Sequence, residues 1–172
     1  YYVEKIVTQL AKRYGNDERI WGWQLDNEPH YGTLYDYSSA QEKEFQIWLR
    51  ERYDNSIDQL NHSWGTAFWS QVYNNFMQIQ IPNAKEAPQG ANPHGLLDFQ
   101  RFTADQLAEA LRFQAGVLEQ YISDEQWITT NYAYFKFLPP VDIFRNQHDL
   151  DFASHTMYLL STALNYPEGN LA

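Results

Sequence analysis

Three short apolar runs, set far apart by helical stretches, constrain this chain more than any other feature. They are Ile20-Trp21-Gly22-Trp23-Gln24-Leu25-Asp26, Trp127-Ile128-Thr129-Thr130-Asn131 and Leu150-Asp151-Phe152-Ala153-Ser154. Each is too short for a helix and is bounded by loop residues, so each reads as a strand. Strands separated by helices cannot pair as hairpins. Their connections are crossovers, and crossovers make neighbouring strands parallel. The expected fold class is therefore α/β, with the three strands side by side in one parallel sheet.

The intervening text supplies the helices. Val3, Ile6, Val7, Leu10, Ala11 and Tyr14 form one face of a helix over residues 1–14. Lys12 and Arg13 suit its C-terminal dipole, and Gly15-Asn16 is a natural stop. Ser39 with Glu42 has the spacing of a capping box before a helix carrying Phe45, Trp48, Leu49 and Tyr53. Helical signals resume over Ile57–Leu60 and from Thr66 to Ile79. Pro82, Pro88, Gly90 and Pro93 make residues 82–95 a long loop. A long helix is predicted from Asp98 to Ile122, with Phe99, Phe102, Leu111, Val117, Leu118 and Ile122 inward. Pro140 can open a small helix through Phe144. There are no internal repeats, linkers or low-complexity segments, so the chain reads as one domain or part of one. It opens on Tyr1 inside a helical pattern and stops at Ala172 without a closing element, as an excerpt of a longer protein would. Missing targeting signals therefore say little about localisation.

Composition narrows the chemistry. A net charge of −10 without a Lys/Arg stripe argues against nucleic acid and anionic membranes as partners. The absence of Cys excludes disulfides, thiolate zinc sites and cysteine nucleophiles. Aromatic residues at 17% suit neutral, hydroxyl-rich ligands such as sugars. No G-x-S-x-G, G-x-G-x-x-G, Walker A or H-E-x-x-H motif is present. Asp54 to Asp58 faintly resembles a calcium loop but lacks its Gly and closing Glu.

The informative spot is Trp23-Gln24-Leu25-Asp26-Asn27-Glu28-Pro29-His30, where a strand ends in an Asn-Glu pair. Parallel α/β folds collect their active sites at the C-terminal ends of strands. Glycoside cleavage needs a carboxyl group to protonate the leaving oxygen, and a Glu flanked by aromatics can hold that proton. Asn27 adds a donor for a sugar hydroxyl, and His30 either tunes Glu28 or touches sugar. The competing reading is a loop or helix-capping carboxylate. Trp64, Phe68 and Trp69 either stack on a sugar ring or pack internally. Trp21 and Trp23 alternate away from Glu28 and are expected to pack strand against helix. His62, His94 and His148 have no partner at metal spacing, so no metal is expected.

Beyond this motif, several blocks resemble one family in the expected order: Ile20 to Glu28, Phe45 to Tyr53, Leu60-Asn61 with Trp64 to Gln71, Asp98 to Phe102, and Ile128 to Asn131. These resemble glycoside hydrolase family 42, the bacterial β-galactosidases. The resemblance implies that residues 1–172 are a portion of a (β/α)₈ barrel, from roughly helix three to just after strand six, with the N- and C-terminal parts of the catalytic domain missing. It implies retaining hydrolysis of terminal β-D-galactosides without a cofactor, by a homo-oligomer. Glu28 takes the place of the acid/base ending strand four, Asn27 that of its substrate-binding neighbour, and Tyr158 that of a tyrosine supporting the nucleophile. The nucleophilic Glu of strand seven falls outside the chain; Glu125 and Glu168 stand at the wrong positions for it. The 172 residues alone would then have two unpaired sheet edges and no activity, with Gly22, Gln24, Thr129 and Ala153 facing a missing barrel wall.

Two departures stand out. Many members carry a zinc-binding Cys cluster where this chain has Tyr31 to Ser39, and an acidic residue near Thr156. The remaining alternatives are another glycosidase of the same clan, acting on β-glucosides, β-xylosides or α-arabinosides, and a non-catalytic sugar-binding barrel fragment.

Overall fold

A computed structural model describes residues 1–29, 35–68, 70–82, 92–133 and 142–156. The described residues divide into two compact units, one within Tyr1–Thr33 and Leu107–Ala172, the other within Leu34–Gln106.

The first unit holds a three-stranded sheet. Strands β1 (Gly22–Gln24), β2 (Trp127–Tyr132) and β3 (Phe152–His155) lie in that order and pair in parallel, as their helical separation requires. Trp23 stands opposite Ile128 and Gln24 opposite Thr129; Asn131 stands opposite Ser154. Partners in register share a face. Trp23 and Ile128 turn to the helices, where Ala11, Leu25, Leu111, Ala115, Leu118 and Leu150 complete a core. Gly22, Gln24, Thr129, Asn131 and Ser154 share the other face. Ala153 stands opposite Thr130 and so belongs with Ile128, not with the Gly22–Thr129 set expected from the sequence.

Helix α1 (Tyr2–Tyr14) forms where its periodicity predicts, but its apolar stripe is narrower than expected. Ala11 is buried and Val7 packs beside it, whereas Ile6 and Leu10 are exposed. Gly15 does end the helix, in ordinary right-handed backbone. Glycine is required there by space: a Cβ would strike the carbonyl oxygen of Tyr121. Of the two tryptophans expected to pack, only Trp23 does, donating its Nε1–H to Gln126 at 3.0 Å. Trp21 is 77% exposed and lines a cleft of about 560 Å³ at the N-terminal ends of β1 and β2.

The second unit comprises α2 (Ser39–Arg52), α3 (Ile57–Trp64) and the opening half of α4 (Pro93–Leu118). Its core is Phe45, Leu49, Leu60, Trp64, Phe76, Ile79, Ile81, Phe99 and Phe102. Three details correct the sequence reading. The cap of α2 is Ser38, whose Oγ accepts the Gln41 N–H at 3.2 Å, while Glu42 accepts the Ile81 N–H at 3.3 Å instead of closing a box. The stretch from Thr66 to Ile79 is not one helix. The Asn61 carboxamide pairs with both the N–H and the carbonyl of Tyr73, at 3.0 and 2.7 Å, and holds the chain in turns. Among its described residues only a 3₁₀ turn, Phe76–Gln78, is helical. Finally, α4 starts at Pro93 instead of Asp98, because Asn92 Oδ1 caps it by accepting the His94 N–H at 2.9 Å. Proline at a first helical position loses no hydrogen bond, so Pro93 marks a start and not a loop. The Pro140 helix start lies outside the described residues, although α5 (Ile143–Asn146) follows it.

Candidate active site

Past β1 the chain turns through Leu25 to Pro29, and two side-chain-bearing residues adopt left-handed backbone, Asp26 at φ 43° and Glu28 at φ 50°. Such conformations cost about 1–3 kcal/mol each and persist only where the surroundings impose them. The surroundings here are hydrogen bonds from neighbouring strands. Thr130 Oγ1 donates to the Leu25 carbonyl at 2.6 Å, and the Leu25 N–H continues the ladder to Thr129 O at 2.7 Å. The Asp26 carboxylate accepts from Gln114 on α4 at 2.9 Å.

Asn131, at the end of β2, makes the largest contribution. Its Oδ1 accepts from the Glu28 N–H at 3.2 Å and from Gln24 Nε2 at 3.0 Å. Its Nδ2 donates to Asn27 Oδ1 at 3.1 Å and to Thr156 Oγ1, just beyond β3, at 2.7 Å. One carboxamide therefore ties together the C-terminal ends of all three strands.

Glu28 is only 6% exposed, and Pro29 beside it is buried too, whereas Asn27 is exposed. Buried carboxyl groups are uncommon because desolvation penalises the charge. The structure thus brings Glu28 and Asn27 together at a strand end, as the sequence predicts. His30 and Tyr158 lie outside the described residues. Glu125 is exposed at the opposite, N-terminal end of β2. Trp64 is core: its Nε1–H is bonded to Asp98 at 2.9 Å. Phe68 is exposed, and Trp69 lies outside the described residues. Among the described residues no group of three or more His, Asp or Glu could hold a metal ion, and no helix is long and apolar enough to cross a membrane.

Asn131 is the site residue that sequence reading missed. Its one signal was parity: a polar residue closing an apolar strand on the same face as Thr129.

Parallel strands joined by helical crossovers, with a buried carboxyl and carboxamides gathered at their C-terminal ends, are the arrangement a portion of a (β/α)₈ barrel has. The glycoside hydrolase family 42 description, "Beta-galactosidase", matches residues 1–170. β-Galactosidase BgaA of a Thermus species is 41% identical over 157 residues, covering 91% of this chain and 23% of the relative. The crystal structure of β-galactosidase from the psychrophilic Marinomonas ef1 superposes with a TM-score of 0.82 at 34% identity, over 92% of this chain and 24% of that one. The β-galactosidase of the haloarchaeon Halorubrum lacusprofundi gives 0.83 at 30% identity, over 98% and 24%. This chain belongs to glycoside hydrolase family 42. It spans about a quarter of the length of the relatives it matches.

Proposed function

We propose that the full-length protein carrying this chain is a retaining glycoside hydrolase that releases terminal β-D-galactose, with Glu28 as its acid/base and residues 1–172 as part of its catalytic domain. The observation that carries this reading is a glutamate, Glu28, only 6% exposed and held just past the C-terminal end of a strand of a parallel sheet in a chain of this family. Relatives named β-galactosidase support the substrate class.

Glu28, protonated, gives its proton to the glycosidic oxygen as the bond to the anomeric carbon breaks. A second carboxylate, on a residue outside this chain and about 5 Å away, forms the glycosyl-enzyme from the opposite face. Glu28, now a carboxylate, takes a proton from the water that attacks the anomeric carbon, and the nucleophile is released. Asn27 binds a sugar hydroxyl in this scheme, and His30 and Tyr158 are taken as further substrate-binding residues. No cofactor takes part. A net charge of −10 favours a neutral sugar over nucleic acid or an anionic membrane, and we take the working form to be a homo-oligomer.

Glu28→Gln in the full-length protein should lower turnover on lactose by about 10²–10⁴-fold, the usual worth of acid-base catalysis, and slow the glycosylation step of aryl galactosides with acidic leaving groups far less. Normal turnover on lactose would remove Glu28 from this role. A panel of chromogenic β-galactosides, β-glucosides, β-xylosides and α-arabinosides separates the galactosidase from the other barrel glycosidases. Turnover of any of them eliminates the non-catalytic binding module.

A further inference from the structure

We propose that Asn131 is the positioning residue for Glu28: its carboxamide holds the segment after β1 so that the carboxyl of Glu28 meets the glycosidic oxygen. This rests on the reading of Glu28 as acid/base.

The case starts from how the amide is used. A carboxamide has two acceptor lone pairs and two N–H donors, and Asn131 engages all four. Both lone pairs go to the segment that carries the acid, through the Glu28 N–H and Gln24 Nε2. One donor goes to Asn27 in that same segment, and the other to Thr156 beyond β3.

A tie between strands alone would not need this arrangement. The sheet is already joined by its backbone ladder, by Thr129 Oγ1 to Phe152 O at 2.6 Å and by Ser154 Oγ to Thr130 O at 2.9 Å. The Asn131 side chain is not part of that backbone ladder. Three of its four side-chain bonds reach residues 24–28, from the last residue of β1 into the turn where Asp26 and Glu28 hold left-handed backbone. The Glu28 N–H bond is the one that directly restrains the residue whose φ is 50°. Released from it, Glu28 can relax toward ordinary dihedrals and carry its carboxyl away from the reacting oxygen. A misplacement of 1 Å is worth about 10²-fold in rate, because proton transfer needs hydrogen-bond contact in the transition state.

Side-chain type follows from the same geometry. Aspartate keeps the two acceptor contacts but loses both donors, and alanine loses all four. Gln at this position would carry the amide one methylene too far for the same set.

The test compares substrates and backgrounds in the full-length protein. Asn131→Ala should lower kcat on lactose by about 10–10²-fold with KM little changed, the signature of an interaction needed in the transition state. On a dinitrophenyl β-galactoside, whose leaving group needs no proton, kcat/KM should fall by less than about threefold. In a Glu28→Gln background, Asn131→Ala should add less than about twofold on lactose, since no acid remains to be placed. Asn131→Asp should show the same leaving-group selectivity at smaller size, and it carries the test if the alanine variant does not fold.

Equal losses on both substrates, undiminished loss in the Glu28→Gln background, or full activity on lactose would each overturn the positioning role. Failure of the acid/base reading itself would appear separately, as normal lactose turnover by Glu28→Gln with Asn131 intact.

Discussion

Asp98 is the most heavily bonded side chain among the described residues of the second unit, and its removal gives a quantitative test of how that unit is held. The carboxylate is almost wholly buried. It accepts from Tyr53 Oη at 2.5 Å, Trp64 Nε1 at 2.9 Å and Arg101 Nη1 at 3.0 Å, with Arg52 Nε at 3.2 Å. Burial first, and then the adjacent Asp98 carboxylate, raises the Tyr53 hydroxyl above its ordinary pKa, so it remains a donor throughout the neutral range. In Asp98→Ala the two arginines, 37% and 48% exposed, turn to water at little cost. The Trp64 and Tyr53 donors cannot turn out as freely, although Trp64 Nε1 also lies 3.1 Å from Tyr53 Oη and recovers part of one bond. Two charge-assisted bonds at about 1.5–3 kcal/mol each, less that recovery, give a loss of about 3–4 kcal/mol. Hydrogen exchange reads it locally, as a fall of that size in the opening free energy of amides in α3 and the first half of α4. Arg101→Gln, which removes a half-exposed partner, should cost less than about 1 kcal/mol at the same amides. A change below about 1 kcal/mol for Asp98→Ala, or equal effects of both variants, would refute the account of Asp98 as a buried organiser.

Two further predictions concern the first unit. The Arg19 side chain, hydrogen-bonded at 2.6 and 2.9 Å, holds the Asp17 carboxyl down at about 2. A depressed folded pKa means the pair's favourable contribution is whole above about pH 4 and fades as pH falls through about 2. Carboxyl NMR should therefore place the Asp17 midpoint near 2 and move it toward 3.8 in Arg19→Ala; an unmoved midpoint would contradict the assignment. Gly22 lies under the Trp127 indole, so a Cβ there overlaps the ring. Gly22→Ala should cost about 1–3 kcal/mol of protection at β1 and β2 amides and be partly rescued by Trp127→Ala, whereas loss without rescue would point to backbone entropy instead.

How far the sequence could be read follows from the range of the interactions. The three strands, their order and their parallel pairing were legible, because short apolar runs separated by helices leave few topologies. Glu28 was legible as a strand-end carboxyl. Asn131 as its partner was not, since that contact joins residues 103 apart in the chain. Local chemistry also misled where one side chain overrode a pattern. Thr66 to Ile79 has helical spacing of apolar residues, but Asn61 captures the Tyr73 backbone and the apolar residues enter the core from turns. Pro93 looked like punctuation within a loop until Asn92 was seen to cap the helix that it opens. The capping serine of α2 shifted by one residue because Ser38 and Ser39 offer the same hydroxyl, and Asp36 fixes Ser38 by accepting its N–H at 2.7 Å.

The central claim is that Glu28 is the acid/base of a retaining hydrolase whose nucleophile lies elsewhere. Its most direct test is the product formed when azide replaces water in Glu28→Ala of the full-length protein, on a dinitrophenyl β-galactoside. If Glu28 serves as base for the second step, azide, which needs no deprotonation, restores turnover by attacking the glycosyl-enzyme from the face water would have used. The account predicts a galactosyl azide of retained β configuration by NMR. An α-galactosyl azide would mean that Glu28 is itself the nucleophile, and no azide product with undiminished hydrolysis would mean that it takes no part in the chemistry.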